Sequence, residues 1–527
     1  MPITGPDMKL PQEITFLLEG PPQAGELLDS LASRFMVEET GKISGQKYYY
    51  DTFDWRLFRK SFVLTVTGNR LELSDFNGVS IGASAGLPRK NYFCWDIQES
   101  ELREPLEAII DMRALIQVFS LNFAERTFRV LNKDRKTVAR IVLRDEKARG
   151  EGTQLDLPRR LSLQEIRGYG SVFDKIRKMC LKTGLKSIDD EQDLLKLAFS
   201  VSERKLLDYG AKFRVDLDET ITIGEAVSKI CLDLAGAMQI NHVGVCADID
   251  SEFLHDFRIA IRRTRSLLTL LKKVLPPEKT SYFQSEFKWL GSVTGPVRDI
   301  DVYLLKRKEY LGMLPESLHS GLSLFFDELE KMRIREIKLL RRHLASPRYR
   351  TLLESWRLYL SEPGSEIFST IRKKKCKPLA DKLIGKRFAG FLRDGDKINE
   401  SSADNELHKL RIRGKKLRYL LEFFRSFYDE AEMERFLKQM KRLQDNLGDF
   451  NDLSVQQEML ALRLAELSGR TQRTMQLGAS LGGLISVLAG KHRSVRQAFQ
   501  KSYSNFSKTG NRDLLDTVIS ASSRRVS

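Results

Sequence analysis

The sequence predicts an α+β domain followed by an all-α domain, and three observations carry that prediction. The apolar period changes near Thr222: alternation with turn signals gives way to spacings of three and four over long stretches. A pair of motifs then recurs at a constant offset of 153 residues, the mark of an internal duplication. Finally, the charge is segregated. Residues 1–220 hold 34 basic and 34 acidic side chains, whereas residues 221–527 hold 54 and 37, so the whole net charge of +17 lies in the second part.

In the first part, Glu13 to Leu18, Lys47 to Tyr50, Ser61 to Thr67 before Gly68-Asn69, and Arg140 to Leu143 alternate as strands. Helices are expected near Gly25 to Phe35 and Phe173 to Thr183. The second part should be helical throughout, with loops near Pro276-Pro277, Pro315, Pro363-Gly364 and Gly395 to Asp404. The expected divisions are a domain over 1–205, a linker over 206–220, a helical domain over 221–505 with copies at about 221–372 and 373–505, and a basic Ser-rich tail over 506–527.

Composition narrows the classes. The five cysteines, Cys94, Cys180, Cys231, Cys246 and Cys376, are odd in number and lack metal-finger spacing, so neither a disulfide framework nor a zinc site is expected. The N-terminus does not read as a secretory signal, and the run Leu477 to Gly490 is shorter than the roughly 20 residues that cross a bilayer, so it reads as a buried helix and no membrane insertion is expected. The G-x-x-x-x-G-K-[ST], G-x-S-x-G, H-E-x-x-H and D-x-D-x-D-G patterns are read as absent.

The duplication carries the chemistry. Leu254 to Leu271 (LHDFRIAIRRTRSLLTLL) aligns with Leu407 to Phe424 (LHKLRIRGKKLRYLLEFF), and Leu290 to Val302 (LGSVTGPVRDIDV) aligns with Leu443 to Val455 (LQDNLGDFNDLSV). His255, Arg258, Arg262 and Arg265 fall on one helical stripe, and His408, Arg411, Lys415 and Arg418 repeat it. Like charges one turn apart repel, so two matched stripes point to a bound anion rather than to helix stability. Asp299 and Asp452 read as helix caps or as salt-bridge anchors that orient the arginines, rather than as catalytic acids. Lys288 and Lys441 correspond under the same offset and extend the stripes. Lys382 and Lys386, with Lys375 and Arg393, line one face of the helix after the run Arg372 to Lys377 and form a second basic wall.

The doubled H-x-x-R-x-x-x-[RK]-x-x-R signature, each copy followed by a G-x-x-x-D element, resembles the conserved-histidine α-helical (CHAD) domain over roughly 221–505. That resemblance implies two pseudo-symmetric helical bundles around a basic channel for inorganic polyphosphate. The eight stripe residues would be its ligand face, with other polyanions as further partners and no metal or cofactor required. Arg forks two phosphate oxygens and Lys supplies a mobile point charge, a fit to a chain that carries charge but no bases.

Tyr49 to Leu64 (YYDTFDWRLFRKSFVL) resembles the YFDTPD stretch of the CYTH, or triphosphate-tunnel, family, which implies an antiparallel sheet forming a partial tunnel over about 10–200. Active members begin with an E-x-E-x-K strand. Here the strand reads Glu13-Ile14-Thr15-Phe16-Leu17, so the second metal-holding glutamate and the lysine are missing. The expectation is a non-catalytic polyphosphate-binding protein of the cytoplasm, associated with polyphosphate granules. The rival readings are a CYTH-type triphosphatase with an altered metal site and a nucleic-acid binder.

Overall fold

The computed structural model describes residues 12–18, 21–85, 92–98, 100–188, 192–202, 204–210, 213–272, 275–361, 373–469, 471–508, 510 and 515. Arg372, the loop expected at Pro363-Gly364 and most of the expected tail lie outside them. The chain divides into two compact units, Met1–Ala211 and Lys212–Ser527.

The first unit is one antiparallel sheet with helices. Its strands are β1 (Glu13–Leu18), β2 (Met36–Thr52), β3 (Phe62–Thr67), β4 (Arg70–Asp75), β5 (Ser80–Ala85), β6 (Leu115–Leu131), β7 (Thr137–Arg149), β8 (Gln154–Asp156), β9 (Arg159–Glu165) and β10 (Lys186–Ile188). The order is β10-β1-β9-β7-β6-β2-β3-β4-β5, with β8 paired to β7. The helices are α1 (Pro21–Ala32), α2 (Arg56–Arg59), α3 (Arg103–Ile110), α4 (Gly170–Lys182) and α5 (Gln192–Phe199). All four expected strand segments and both expected helices are present. Period-2 patterning gives the sheet an apolar face, and Phe16, Phe128, Ile141, Leu161 and Leu163 bury it against Leu27, Leu31, Phe173 and Ile176 of α1 and α4. Leu64, Val66, Leu71 and Leu73 pack in the same way on Leu102, Leu106 and Ile110, around α3.

The Tyr49 to Leu64 stretch proves to be a turn-building device. Asp51, 2% exposed, accepts hydrogen bonds from the backbone N–H groups of Thr52, Leu57 and Phe58. Burial nevertheless pushes its carboxyl up to about 7. Asp54 accepts from Thr52 Oγ1 and Arg56, and it lies 3.6 Å from the fully buried Arg113. Asp51→Ala would orphan three buried donors, an expected loss of about 2–4 kcal/mol from this unit. Faster hydrogen exchange at Leu57 and Phe58 is the check, and unchanged protection there would contradict the assignment.

The second unit is helical: α6 (Ile223–Ala247), α7 (Ser251–Leu270), α8 (Pro277–Val293), α9 (Gly295–Leu305), α10 (Arg307–Gly312), α11 (His319–Leu344), α12 (Pro347–Ser361), α13 (Cys376–Gly395), α14 (Asp404–Phe424), α15 (Glu430–Ala465) and α16 (Gln472–Phe506). The duplication is visible in the helix starts. α6, α7, α8 and α11 begin at Ile223, Ser251, Pro277 and His319, and α13, α14, α15 and α16 begin 153 residues later, at Cys376, Asp404, Glu430 and Gln472. In the first copy Pro296 cannot supply the N–H that a continuous helix needs, so α8 stops at Thr294 and α9 starts anew. Asp449 occupies the equivalent place in the second copy, and α15 runs through unbroken.

The copies also pack alike. Gly291 of α8 lets Arg265 and Ile261 of α7 approach closely, whereas in the second copy the glycine is Gly414 of α14 and the larger partner is Gln444 of α15. Small and large residues have exchanged places across one conserved helix contact. Gln444 uses its bulk to donate a 2.8 Å hydrogen bond to the Gly414 carbonyl.

The segment read as a linker contributes to both units. Tyr209 is buried in the first. In the second, Val215 and Leu217 are buried, and Phe213 packs edge-on against Phe423. The stretch Leu477 to Gly490 lies in α16, with Leu477, Leu481, Leu484 and Leu488 buried. α6 is long and apolar enough to cross a membrane by length and composition. In this fold Ala226, Val227, Ile230, Cys231 and Leu234 of α6 are buried, and the helix packs on α7 and α12.

Candidate functional site

The site follows from how the two copies meet. α7 packs on α14 and α11 packs on α16, so each helix touches its own counterpart. This is the contact pattern of a pseudo-twofold axis, at which one surface patch faces its equivalent. Two matched basic stripes are thereby turned toward each other.

The first stripe starts where Asp250 caps α7 by accepting from the N–H groups of Glu252 and Phe253. Arg258 donates through Nη1 to the Gly291 carbonyl at 2.9 Å and to Thr294 Oγ1 at 2.8 Å. It therefore closes the C-terminus of α8, where orphan carbonyls and the helix dipole favour a cation. Arg262 is exposed, Arg265 is half-buried against Gly291, and His255 is half-buried one turn into the helix.

The second stripe is held differently. His408 Nδ1 lies 2.6 Å from Asn451 Oδ1, Asn451 Nδ2 donates to Asp452 Oδ1 at 3.2 Å, and Arg411 donates to the same Asp452 oxygen at 3.2 Å. This chain of contacts orients Arg411, and Asp452 takes the anchoring role its spacing implied. At the other end Glu422 bridges the copies, 2.7 Å from Arg263 Nη2 and 3.2 Å from Arg418 Nε. Arg263 also lies over the Phe213 ring at 4.9 Å.

Lys415 lies between Arg411 and Arg418 on the same stripe. Burial first, then the charges of Arg411 and of Arg262 from the opposite copy, push its ammonium down to about 8. Arg411 is shifted down by burial, with Arg262 adding to the effect. Arg258 is lowered by burial and further by Arg262, Arg298 and Arg265. These mutual effects define one cationic centre built from both copies. Among the described residues, Arg262, Arg265 and Lys415 have no carboxylate within salt-bridge distance.

Arg298 belongs to this centre and was not among the candidates from the sequence. Burial lowers it, Arg262 lowers it further, and it sits 3.6 Å from Glu252. Under the offset Arg298 aligns with Asn451, so the duplication does not mark it. Lys288 on α8, Lys382 and Lys386 on α13, and Lys441 on α15 are exposed. They are not among the charges that act most strongly on Arg258, Arg411 or Lys415.

The first unit encloses a cavity of about 990 Å³ where the CYTH resemblance places a tunnel, lined in part by Glu13, Lys47, Glu72, Glu125, Arg144, Glu146, Arg160 and Arg177. Several of its charges are paired. Arg144 pairs with Glu125 at 3.0 Å, Arg160 with Glu146, and Arg70 with Glu72 at 3.1 Å. Thr15, where the second glutamate of an E-x-E-x-K strand would stand, hydrogen-bonds Ser162 instead. No three acidic, histidine or cysteine side chains among the described residues converge to hold a metal ion. The residues present do not fit the metal that the CYTH resemblance implies.

One pattern needs correction. Gly82-Ala83-Ser84-Ala85-Gly86 does spell G-x-S-x-G. Ser84, however, lies within β5 at the sheet edge and not at a strand-to-helix turn, and all six histidines of the chain lie beyond residue 241. A nucleophile elbow needs both the turn and a base.

A duplicated helical unit that gathers cations from both halves at its pseudo-twofold interface is the class that fold and site define. Residues 230–461 match the family model of the CHAD domain, and the chain therefore carries a CHAD domain. The family is associated with polyphosphate binding. Similar solved structures include the CHAD domain from the plant Ricinus communis, 24% identical over 56% of this chain and 96% of that one, with a TM-score of 0.47. Another is PptA from Streptomyces chartreusis, 13% identical over 54% of this chain and 100% of that one, with a TM-score of 0.42. Comparison with curated proteins gives no match.

Proposed function

We propose that this protein binds inorganic polyphosphate without catalysis, through a basic channel between the two copies of its CHAD domain. The observation that carries the reading is the cationic centre itself. Arg262 of one copy acts on Arg411 and Lys415 of the other, and among the described residues three of the cations have no carboxylate within salt-bridge distance. Holding like charges together lowers stability, and a polyanion threaded between them would offset that cost while releasing its counterions. The internally paired charges of the N-terminal cavity support a non-catalytic role over a metal-dependent triphosphatase. The five free cysteines fit a reducing, cytoplasmic setting.

Titration of the full chain with long-chain polyphosphate at several salt concentrations tests the reading. Affinity should fall by about 10³-fold between 50 and 200 mM salt if six or more phosphates are neutralised. A flat salt response would remove the channel as the binding determinant. Single-stranded RNA at the same salt should compete poorly, because no aromatic platform is interleaved with the arginines. Equal competition would favour a nucleic-acid binder.

A further inference from the structure

We propose that Lys415 is a self-acylation site for acyl phosphates, which the surrounding arginines capture by their phosphate group and present to its side-chain nitrogen. The inference rests on the anion-binding reading of the same cluster. Of the cations that act on one another at this interface, Arg258, Arg262, Arg298, Arg411 and Arg418 carry guanidinium groups, which stay protonated and are poor nucleophiles. Lys415 alone offers an amine. It has no carboxylate within salt-bridge distance among the described residues, so no ion pair holds it in the ammonium form.

The charged groups that act on it are Arg411 and Arg418 on its own helix, Arg262 on α7 and Asp452 on α15. Three of these four are cations, and together with burial they hold the ammonium well below the ordinary lysine range, at about 8. A useful fraction is therefore the free amine near neutral pH, the condition under which lysine acts as a nucleophile. An acyl phosphate is a small dianion. Arg262, exposed and with no carboxylate within salt-bridge distance among the described residues, and Arg411 supply guanidinium groups for its phosphate oxygens at the cluster that holds Lys415.

The reaction balances without another reagent. The Nζ lone pair attacks the acyl carbon, a C–N bond forms, and the C–O bond to phosphate breaks with its electron pair remaining on phosphate. The amine proton passes to the departing phosphate, so Lys–NH₂ and the acyl phosphate dianion give the amide and hydrogen phosphate. The product is a neutral side chain at the centre of the cluster, so the modification would weaken polyanion binding.

The test treats the full chain with acetyl phosphate at pH 8 and follows acetylation of each lysine by peptide mass spectrometry. The initial rate at Lys415 should exceed those at the exposed Lys382, Lys386 and Lys441 by at least about tenfold. Arg262→Gln should slow acetylation at Lys415 by acetyl phosphate more than by an uncharged N-hydroxysuccinimide ester, because the loss of its charge raises the ammonium for both reagents while the loss of phosphate capture affects only the first. A rate at Lys415 no higher than at the three exposed lysines would overturn the proposal, as would an Arg262→Gln effect equal for both reagents. Long-chain polyphosphate should protect Lys415 and leave Lys382 unaffected. Selective, Arg262-dependent acetylation without that protection would uphold the acylation site and instead sink the polyphosphate reading.

Discussion

Reversing Arg262 and Lys415 together to Glu is expected to weaken polyphosphate binding by at least about 100-fold, or roughly 3 kcal/mol, with no loss of helical circular dichroism. The two residues are equivalent under the duplication and lie on facing helices. Among the described residues neither side chain makes a salt bridge or hydrogen bond, and Arg262 is exposed. Glutamate at 415 would even gain Arg411 and Arg418 as neighbours of opposite charge. Two controls locate the effect. Lys382→Glu with Lys386→Glu changes charge by the same amount on an exposed face and should cost less than about threefold if long-range field alone acts there. Arg258→Glu should damage the fold, because it removes the cation that closes α8 at Gly291 and Thr294. Equal losses from both double reversals would show that net charge, not this centre, sets affinity.

Much of the architecture was legible because it was written twice. One matched pair of segments fixed the offset, and the helix starts at Ile223, Ser251, Pro277 and His319 then had to recur. The same offset marked His255, Arg258, Arg262 and Arg265 and their counterparts. It could not reveal which of them stay without a carboxylate partner and which brace the protein. Arg258 and Arg411 have similar sequence contexts, yet one caps a helix and the other is held by Asp452. That difference depends on Thr294 and on the Pro296 helix break, neither of which is repeated. Arg298 escaped for a related reason, since a search for matching residues discounts the position where the copies differ. For the exposed Lys288, Lys382, Lys386 and Lys441 the spacing says less. Helical spacing places them on a face, but which neighbour that face meets is a tertiary fact.

Replacing Lys415 with methionine should raise stability and lower affinity together, an opposition that a structural residue would not produce. Met keeps the unbranched length and removes the charge. In the folded protein the ammonium is held near 8, against an ordinary lysine value of 10.5, so the charged form costs free energy that the unfolded chain does not incur. The full shift would correspond to about 3 kcal/mol, and the partial exposure of Lys415 reduces this to about 1–2 kcal/mol through solvent screening. The sign fixes the pH window. Below pH 8 the side chain is protonated in both states and the penalty is complete. Between pH 8 and 10.5 the unfolded chain binds the additional proton, so wild-type stability rises relative to the variant, and above 10.5 the difference should vanish. Denaturant midpoints of wild type and Lys415→Met measured at pH 7, 9 and 11 give the comparison, with a stabilised variant at pH 7 and convergence at pH 11 as the expected pattern. Bound phosphate should restore the ammonium, so calorimetry at pH 8.5 in buffers of different ionisation enthalpy should register proton uptake by wild type that Lys415→Met lacks. A variant less stable than wild type at pH 7 would mean that Lys415 packs as a structural side chain, and equal proton uptake by the two would place the titrating group elsewhere in the cluster.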